Sequence, residues 1–268
     1  MRAVALDLDG TLLNPNQTVD EETKDLLKKL HLSGVAIGIA TGREFSVVQE
    51  VLASNEMHPK SGFPHFIISD ERDVRFLEGG LYSPWRDWND AAFSLEIASL
   101  QTARDVAAEA SYELEHWFLI NNPYLQTSRG YVEIFFRHAE DASRFLPWFE
   151  ERLEGLPLVA VRNNRLIALR SPVAGKGRVL EKVVARLGVP PQELLAVGDS
   201  HNDHDMLARN FAAATTSNAD EDIKALVRHR GGMVASGSYS AGVAELLKKS
   251  FSAVEVAKQG GRGLRNTH

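Results

Sequence analysis

A strand that ends in two carboxylates constrains this chain more than any other feature of its sequence. Val4-Ala5-Leu6 is a short apolar run that leads into Asp7-Leu8-Asp9-Gly10-Thr11, then Leu12-Leu13 and the turn cluster Asn14-Pro15-Asn16. An apolar run of this length, closed by a glycine and a turn cluster, reads as a buried strand running into a loop. Asp7 and Asp9 then stand at the strand's C-terminal end, the edge at which open α/β sheets bind ligands. Gly10 lets the backbone come close to a ligand, and Thr11 adds a hydroxyl and an N–H. A solvated acidic turn would also use Asp and Gly, but the full D-x-D-G-T string in this context favours a site.

Beyond Asn16 the chain alternates helix and strand. Thr18-Val19-Asp20-Glu21 has capping-box spacing, Leu26, Leu27 and Leu30 recur at helical spacing, and Gly34 is a stop. Val35 to Ala40 reads as a second strand closed by Thr41-Gly42-Arg43, and a helix carrying Phe45, Val47, Val48, Val51 and Leu52 comes next. Phe66-Ile67-Ile68 is a third strand ending at Ser69-Asp70-Glu71, with a small hairpin arm expected between Val74-Arg75-Phe76 and Leu81-Tyr82. This succession predicts a parallel sheet with crossover helices. It resumes after Pro172, with helices over 178–187, 220–227 and 241–247 and strands over 194–197, 211–214 and 232–235.

The texture between these blocks is different. Residues 87–110 read as one long helix, 112–120 and 130–136 as strands joined by a turn at Asn122-Pro123, and 141–153 as a helix burying Phe145, Leu146, Trp148, Phe149 and Leu153. A hairpin over 158–162 and 166–169 turns at Asn163-Asn164. This α-β-β-α-β-β pattern predicts an antiparallel sheet with helices on one face. The expected organisation is an α/β chain: a Rossmann-like parallel-sheet core in two segments, 1–84 and 171–249, an inserted α+β unit over 85–170, and a mobile or loosely docked tail over 250–268.

The composition excludes several alternatives. With 44% hydrophobic and 25% charged residues in 268, the chain can bury a substantial core. It has no cysteine, which rules out a disulfide framework, a thiol nucleophile and cysteine-ligated zinc, and fits a cytoplasmic protein. A net charge of −6 argues against a nucleic-acid partner. No apolar stretch approaches a membrane span, and the N-terminus enters a strand directly, so neither anchor nor signal peptide is expected.

Three more strand-end loops carry candidate residues. Thr41, with Gly42 behind it, offers a hydroxyl beside a tight turn, suited to an oxyanion or simply to a helix cap. Lys176 lies between Gly175 and Gly177 ahead of a helix, where it could neutralise a phosphate or remain a solvated surface lysine. Gly198-Asp199-Ser200-His201-Asn202-Asp203 places carboxylates and an amide at a spacing that supplies hard oxygen ligands, suited to Mg²⁺ rather than zinc, or an Asx-rich turn. His201 and His204 read as solvent-facing turn residues. Taken together, these loops present acids, a hydroxyl, a lysine and a second acidic cluster at one sheet edge, which is a constellation for phosphoryl transfer.

These residues resemble the haloacid dehalogenase-like hydrolase superfamily. Asp7 to Thr11 matches its first motif, Thr41-Gly42-Arg43 the second, Lys176-Gly177 the third and Gly198 to Asp203 the fourth. Ser217-Asn218-Ala219 and Ala241-Gly242-Val243-Ala244 are similar to the Cof-type branch. The inserted unit looks like a compact IIB cap, as in sucrose-phosphate and mannosylglycerate-phosphate phosphatases. One departure stands out: Cof-type members often carry Asn-Gly after the third strand, where this chain has Ser69-Asp70-Glu71-Arg72.

The resemblance implies a mechanism. Asp7 would attack phosphorus to form an aspartyl-phosphate, and Asp9 would protonate the leaving oxygen and then activate water. Mg²⁺ would be held by Asp7, the Asp9 carbonyl and Asp199, with Asn202 or Asp203 in support. Gly10, Thr11, Thr41, Gly42, Arg43 and Lys176 would bind the phosphate. A cation is needed because two like charges at 4 Å repel by roughly 4 kcal/mol at an effective dielectric of 20. The cap would choose the leaving group, with Asn121, Asn122, Arg129, Arg137, Arg162, Asn163, Asn164 and Arg165 as candidates. Trp85, Trp88, Trp117 and Trp148 could stack on a sugar ring, but core packing is the favoured reading. The expected function is a Mg²⁺-dependent phosphatase of a small phosphorylated metabolite, a sugar phosphate for preference, acting as a monomer or homodimer. The alternatives are a phosphomutase on the same scaffold and a non-catalytic phosphometabolite-binding protein.

Overall fold

In β1 (Ala3–Leu6) every residue is buried, so the strand needs cover on both faces and neighbours on both edges. A computed structural model supplies them; it describes residues 1–114, 117, 124–126 and 130–260, with side chains excepted at 124–126 and 252–260. The first half of the chain runs α1 (Glu21–Leu32), β2 (Ala36–Ala40), α2 (Phe45–Ser54), β3 (Phe66–Ser69), and the hairpin β4 (Asp73–Glu78) and β5 (Leu81–Pro84). An insertion comes next: α3 (Arg86–Glu113), β6 (Tyr124–Gln126), β7 (Tyr131–Phe135), α4 (Ala139–Arg152), β8 (Val159–Asn163) and β9 (Leu166–Arg170). The chain then returns as α5 (Lys176–Leu187), β10 (Leu194–Val197), α6 (His204–Ala208), β11 (Ala212–Thr215), α7 (Glu221–His229), β12 (Met233–Val234) and α8 (Tyr239–Gly260).

The core is an eight-stranded sheet in the order β12-β11-β10-β1-β2-β3-β4-β5, parallel through β3 and antiparallel over β4 and β5. One apolar cluster, with Leu6, Leu27, Ile37, Val48 and Leu246, fills one face, and another, with Phe66, Val179, Leu180, Leu207 and Ile223, fills the other. The chain leaves β1 toward β2 on one side and comes back at β10 on the other, so the sheet's order reverses beside β1. That switch point opens a crevice at the C-terminal strand ends. Antiparallel β6-β7-β9-β8 form a separate cap sheet, with α3 and α4 packed on it through Val106, Ala110, Ile134, Phe149 and Ile167. The arrangement is an α/β Rossmann-like core with an inserted α+β cap. Among the described residues no helix is long and apolar enough to cross a membrane.

Several local expectations are corrected. The Thr18 capping box does not form; Asp20 precedes α1 without a side-chain cap, and the Thr18 hydroxyl donates to Asn16 Oδ1 at 2.6 Å. The cause is tertiary: Asp20 N–H donates to Ser240 Oγ and Thr23 Oγ1 to the Ser240 carbonyl, so α1 is docked by α8. Val47 lies on the outer face of α2 and is exposed. In the expected strand at 112–120, Tyr112 and Glu113 continue α3, because Ala103, Val106, Ala107, Ala110 and Leu114 keep a helical burial spacing. Residues 115, 116 and 118–120, like the Asn122-Pro123 turn, lie outside the described residues, and β7 takes β6 as its partner. The expected tail at 250 instead continues α8 to Gly260, with Phe251 buried in the core cluster; residues 261–268 lie outside the described ones. Trp85 and Trp88 pack against the core and Trp148 against the cap's core, as expected, whereas Trp117 is exposed, its ring beside Phe145.

Candidate active site

β1 and β10 are parallel neighbours in register, so Asp7 and the loop after Val197 emerge side by side. Asp7, Asp199 and Asp203 bring carboxylate oxygens within 4.8 Å of one another. Lys176, the first residue of α5, reaches this group from below. Its Nζ donates to Asp7 Oδ1 and to Asp203 Oδ1, each at 2.7 Å, and the lysine is fully buried. Asp203 also organises its own loop, accepting Asp199 N–H at 2.9 Å and Ser200 N–H at 3.2 Å on Oδ2. Both of its oxygens are therefore engaged. Asp199 takes the Thr11 hydroxyl on Oδ1 at 2.7 Å.

The electrostatics follow from burial. Removal from water pushes the Asp7 carboxyl well above the usual range, opposed by the Lys176 ammonium beside it. Burial, with Asp203 nearby, pushes Asp199 up to about 7. Lys176 is also held above its usual value: burial disfavours its charge, but Asp203, Asp7 and Glu71 outweigh that and keep it firmly protonated. Three carboxylates thus share one cation. The shortfall of positive charge, together with donors that are all hard oxygens, fits a divalent ion such as Mg²⁺.

Gly10 is required by this geometry. It adopts φ +77°, and a Cβ there would stand 2.2 Å from Asp199 Oδ2. Its carbonyl accepts Asn218 Nδ2 at 2.8 Å, which ties the first loop to the one after β11. Asp9 projects outward. Arg43 forks it, with Nε 2.7 Å from Oδ2 and Nη2 on Oδ1, and Arg43 Nη2 also reaches Gln17 Oε1. Thr41 is buried at the end of β2, its Oγ1 accepting Arg43 N–H at 3.2 Å.

A cavity of about 440 Å³ lies between these loops and the cap sheet. Asp7, Asp9, Thr41, Gly42, Arg43 and Asn202 line it from the core; Tyr131, Glu133, Asn163 and Arg170 are among the residues lining it from the cap. Gly10, Thr11, Lys176, Asp199 and Asp203 do not line it; they hold the lining residues and one another. Of the cap candidates, Asn163 lines the cavity; Arg162 bonds the Asn164 carbonyl, and Asn121, Asn122 and Arg129 lie outside the described residues. His201 is clamped between Asp220 and Asp222, away from the three-carboxylate group.

Sequence reasoning missed Glu71, Glu133 and Arg170. The signal available for Glu71 was its place at a strand end, in the stretch that departs from Asn-Gly. Asp70 and Glu71 adopt φ of 51° and 54°, the left-handed conformation that Asn-Gly takes readily. The turn survives there without glycine because its backbone is pinned. Glu71 N–H donates to the Thr41 carbonyl at 3.0 Å, and the Glu71 carbonyl accepts Gly175 N–H at 2.9 Å.

Comparison with known proteins shows the family. The family model for haloacid dehalogenase-like hydrolases matches residues 4–68 and 89–247, and the chain belongs to that family, in its Cof-type branch. A phosphatase of Bacillus subtilis, YwpJ, is 26% identical, covering 84% of this chain and 93% of its own length. A phosphoglycolate phosphatase of Methanospirillum hungatei is 24% identical over 94% of this chain and 97% of its own. The sucrose-phosphatase of Synechocystis, solved with sucrose and phosphate, superposes with a TM-score of 0.68 at 16% identity, covering 95% of this chain and 99% of its own; that likeness is one of fold. With this membership the chain stands among the phosphoric monoester hydrolases.

Proposed function

We propose that the enzyme is a Mg²⁺-dependent phosphatase of a small sugar phosphate, acting through an aspartyl-phosphate on Asp7. The observation that carries this reading is the position of Asp7: a buried carboxylate held by Lys176 on the floor of a cavity that also holds Asp9. In the reaction Asp7 attacks phosphorus, and the bond to the leaving oxygen breaks as Asp9 gives that oxygen its proton. Asp9, now a base, takes a proton from water, whose oxygen attacks the same phosphorus and frees Asp7 and inorganic phosphate. Arg43 holds Asp9 at the cavity wall, and Thr41 with the Gly42 turn faces the transferring oxygens. Asp7 and Asp199 would hold the ion, with Asp203 keeping the Asp199 loop in place and Asn202 beside it. Bound there, Mg²⁺ supplies the positive charge that lets a phosphate dianion approach a carboxylate.

Residues 85–170 act as the cap, and 1–84 with 171–249 as the catalytic core. Tyr131, Glu133 and Asn163 on the cap wall are a phenol, a carboxylate and an amide, groups that exchange hydrogen bonds with hydroxyls. This favours a polyol leaving group over a small acid such as glycolate, which would bring a second carboxylate against Glu133, while Arg170 on the same wall is already paired with Glu71 and Glu96.

Phosphate release from sugar phosphates, phosphoglycolate, phosphoglycerates and nucleotides tests the reading, with Mg²⁺, with EDTA, and in Asp7→Asn. Expected is metal-dependent release, highest for a sugar phosphate and absent in Asp7→Asn. Release only from phosphoglycolate would overturn the substrate class, and undiminished release by Asp7→Asn would overturn the mechanism.

A further inference from the structure

We infer that Glu71 is a positioning residue which, through Arg170, makes the arrangement of the catalytic loops depend on the seating of the cap; the catalytic part of this inference rests on the function proposed above. Glu71 is buried and bonds to the last cap strand and to three loops of the core. Its Oε2 accepts Arg170 Nη1 at 3.1 Å, from the end of the last cap strand. Its Oε1 lies 3.4 Å from Asn202 Nδ2, in the loop that carries Asp199 and Asp203. Its N–H donates to Thr41, and its carbonyl receives the N–H of Gly175, the residue before Lys176.

Arg170 completes the connection. Its Nη2 donates to the Asp70 carbonyl at 2.9 Å and to Glu96 Oε1 at 3.2 Å, and its guanidinium lies 4.2 Å from the centre of the Tyr131 ring, which lines the cavity. Glu96 belongs to α3, the helix by which the chain enters the cap, and is wholly buried; it also pairs with Arg72. The chain therefore enters and leaves the cap at one buried ionic junction, to which the core contributes Glu71 and Arg72 and the cap Glu96 and Arg170. A displaced cap would draw Arg170 away from Glu71 Oε2 and the Asp70 carbonyl, leaving a left-handed, non-glycine turn with its backbone bonds to Thr41 and Gly175 but without its ionic anchor. That turn supports Thr41, the Lys176 loop and Asn202 together. Local backbone preference alone does not keep Glu71 there, so the anchor has an energetic role that an Asn-Gly turn would not need.

The test uses the full-length chain and the variants Arg170→Lys, Glu71→Gln and their combination. Hydrogen exchange is followed in Mg²⁺ buffer without substrate. Arg170 makes its hydrogen bonds to Glu71, Asp70 and Glu96, not to residues 198–203. Faster exchange at 198–203 in Arg170→Lys is expected; a change confined to 70–72, 96 and 168–171 would overturn the coupling. In turnover of the best substrate from the panel, each single variant should lose roughly ten- to a hundredfold in kcat with KM moving by less than about threefold. The double variant should be no worse than the poorer single. Losses that multiply, or unchanged kcat in folded variants, would overturn the positioning role. If the wild type releases no phosphate, the function fails, while the exchange measurement still decides the coupling.

Discussion

Lys176 Nζ donates to Asp7 Oδ1 at 2.7 Å across 169 residues of sequence, with the ammonium fully buried and the carboxylate nearly so. A buried pair of this kind is costly to break from one side, since the remaining charge has no water to return to. Lys176→Met leaves Asp7 and Asp203 buried without their cation. We expect a loss of about 3–5 kcal/mol in stability, and, in protein that remains folded, a fall of roughly 10²–10³ in kcat. Thermal unfolding and phosphate release on the same preparation measure the two effects separately.

The group of Asp7, Asp199 and Asp203 holds more negative charge than Lys176 balances. Mg²⁺ at a hundredfold excess over its Kd should stabilise the protein by about 2.7 kcal/mol, a rise in Tm of roughly 5–10 °C for a chain of this size. Asp199→Asn should raise the Tm of EDTA-treated protein and abolish the Mg²⁺ response. An equal rise with K⁺, or a full response in Asp199→Asn, would show that the ion does not bind there.

Gly10→Ala introduces a Cβ that meets Asp199 Oδ2 at 2.2 Å, at a φ of +77°. Both the backbone and the carboxylate must move. The expected cost is about 1–3 kcal/mol in stability and a weaker response to Mg²⁺, read by calorimetric titration of the metal into the variant.

Gly38, in β2, faces Phe66 so closely that a Cβ would fall 1.9 Å from Phe66 Cζ. Gly38→Ala should cost about 1–3 kcal/mol by overpacking. Phe66→Leu in the same chain should recover part of that loss, since it withdraws the ring. Denaturant unfolding of the two single variants and the double tests whether the steric conflict is local to this pair.

His65 Nδ1 accepts the Ile37 N–H at 2.8 Å, and its Nε2 lies 3.0 Å from His31 Nδ1. Neutral His65 therefore carries its proton on Nε2 and donates it to His31. Burial first, and His31 second, hold His65 below the usual value of 6.5. The unfolded chain then binds a proton that the folded one refuses, so stability falls as pH drops below about 6.5. His65→Gln, whose amide oxygen can still accept from Ile37, should flatten that decline in a series of Tm against pH. A parallel decline in both proteins would remove His65 as its cause.

The strand ends were legible in the sequence because their signals act over a few residues. An apolar run, a glycine and a turn cluster were enough to place Asp7, Thr41 and Asp199 at one sheet edge, and the structure brings them there; Lys176 reaches the same place from the first turn of α5, which follows a strand of the cap sheet and not of the core sheet. The α-β-β-α-β-β order of the cap was legible for the same reason. Local reading failed where a distant segment outweighed local preference. Ser240 of α8 docks the start of α1 and displaces the Thr18 capping box. Burial of Leu114 prolongs α3 into an expected strand, and burial of Phe251 carries α8 through an expected tail.

The sequence by itself determined the fold class, the family and which loops meet beside Asp7, because those follow from periodicity and from short motifs. Only the tertiary structure decided how the side chains divide the work. It sends Lys176 to two carboxylates, gives the Thr11 hydroxyl to Asp199, and turns Asp9 outward against Arg43. It alone joins Glu71 to Arg170, 99 residues apart, in the junction between cap and core. The physical reason is that a buried charge is tolerated only with a partner, and the fold decides which partner arrives.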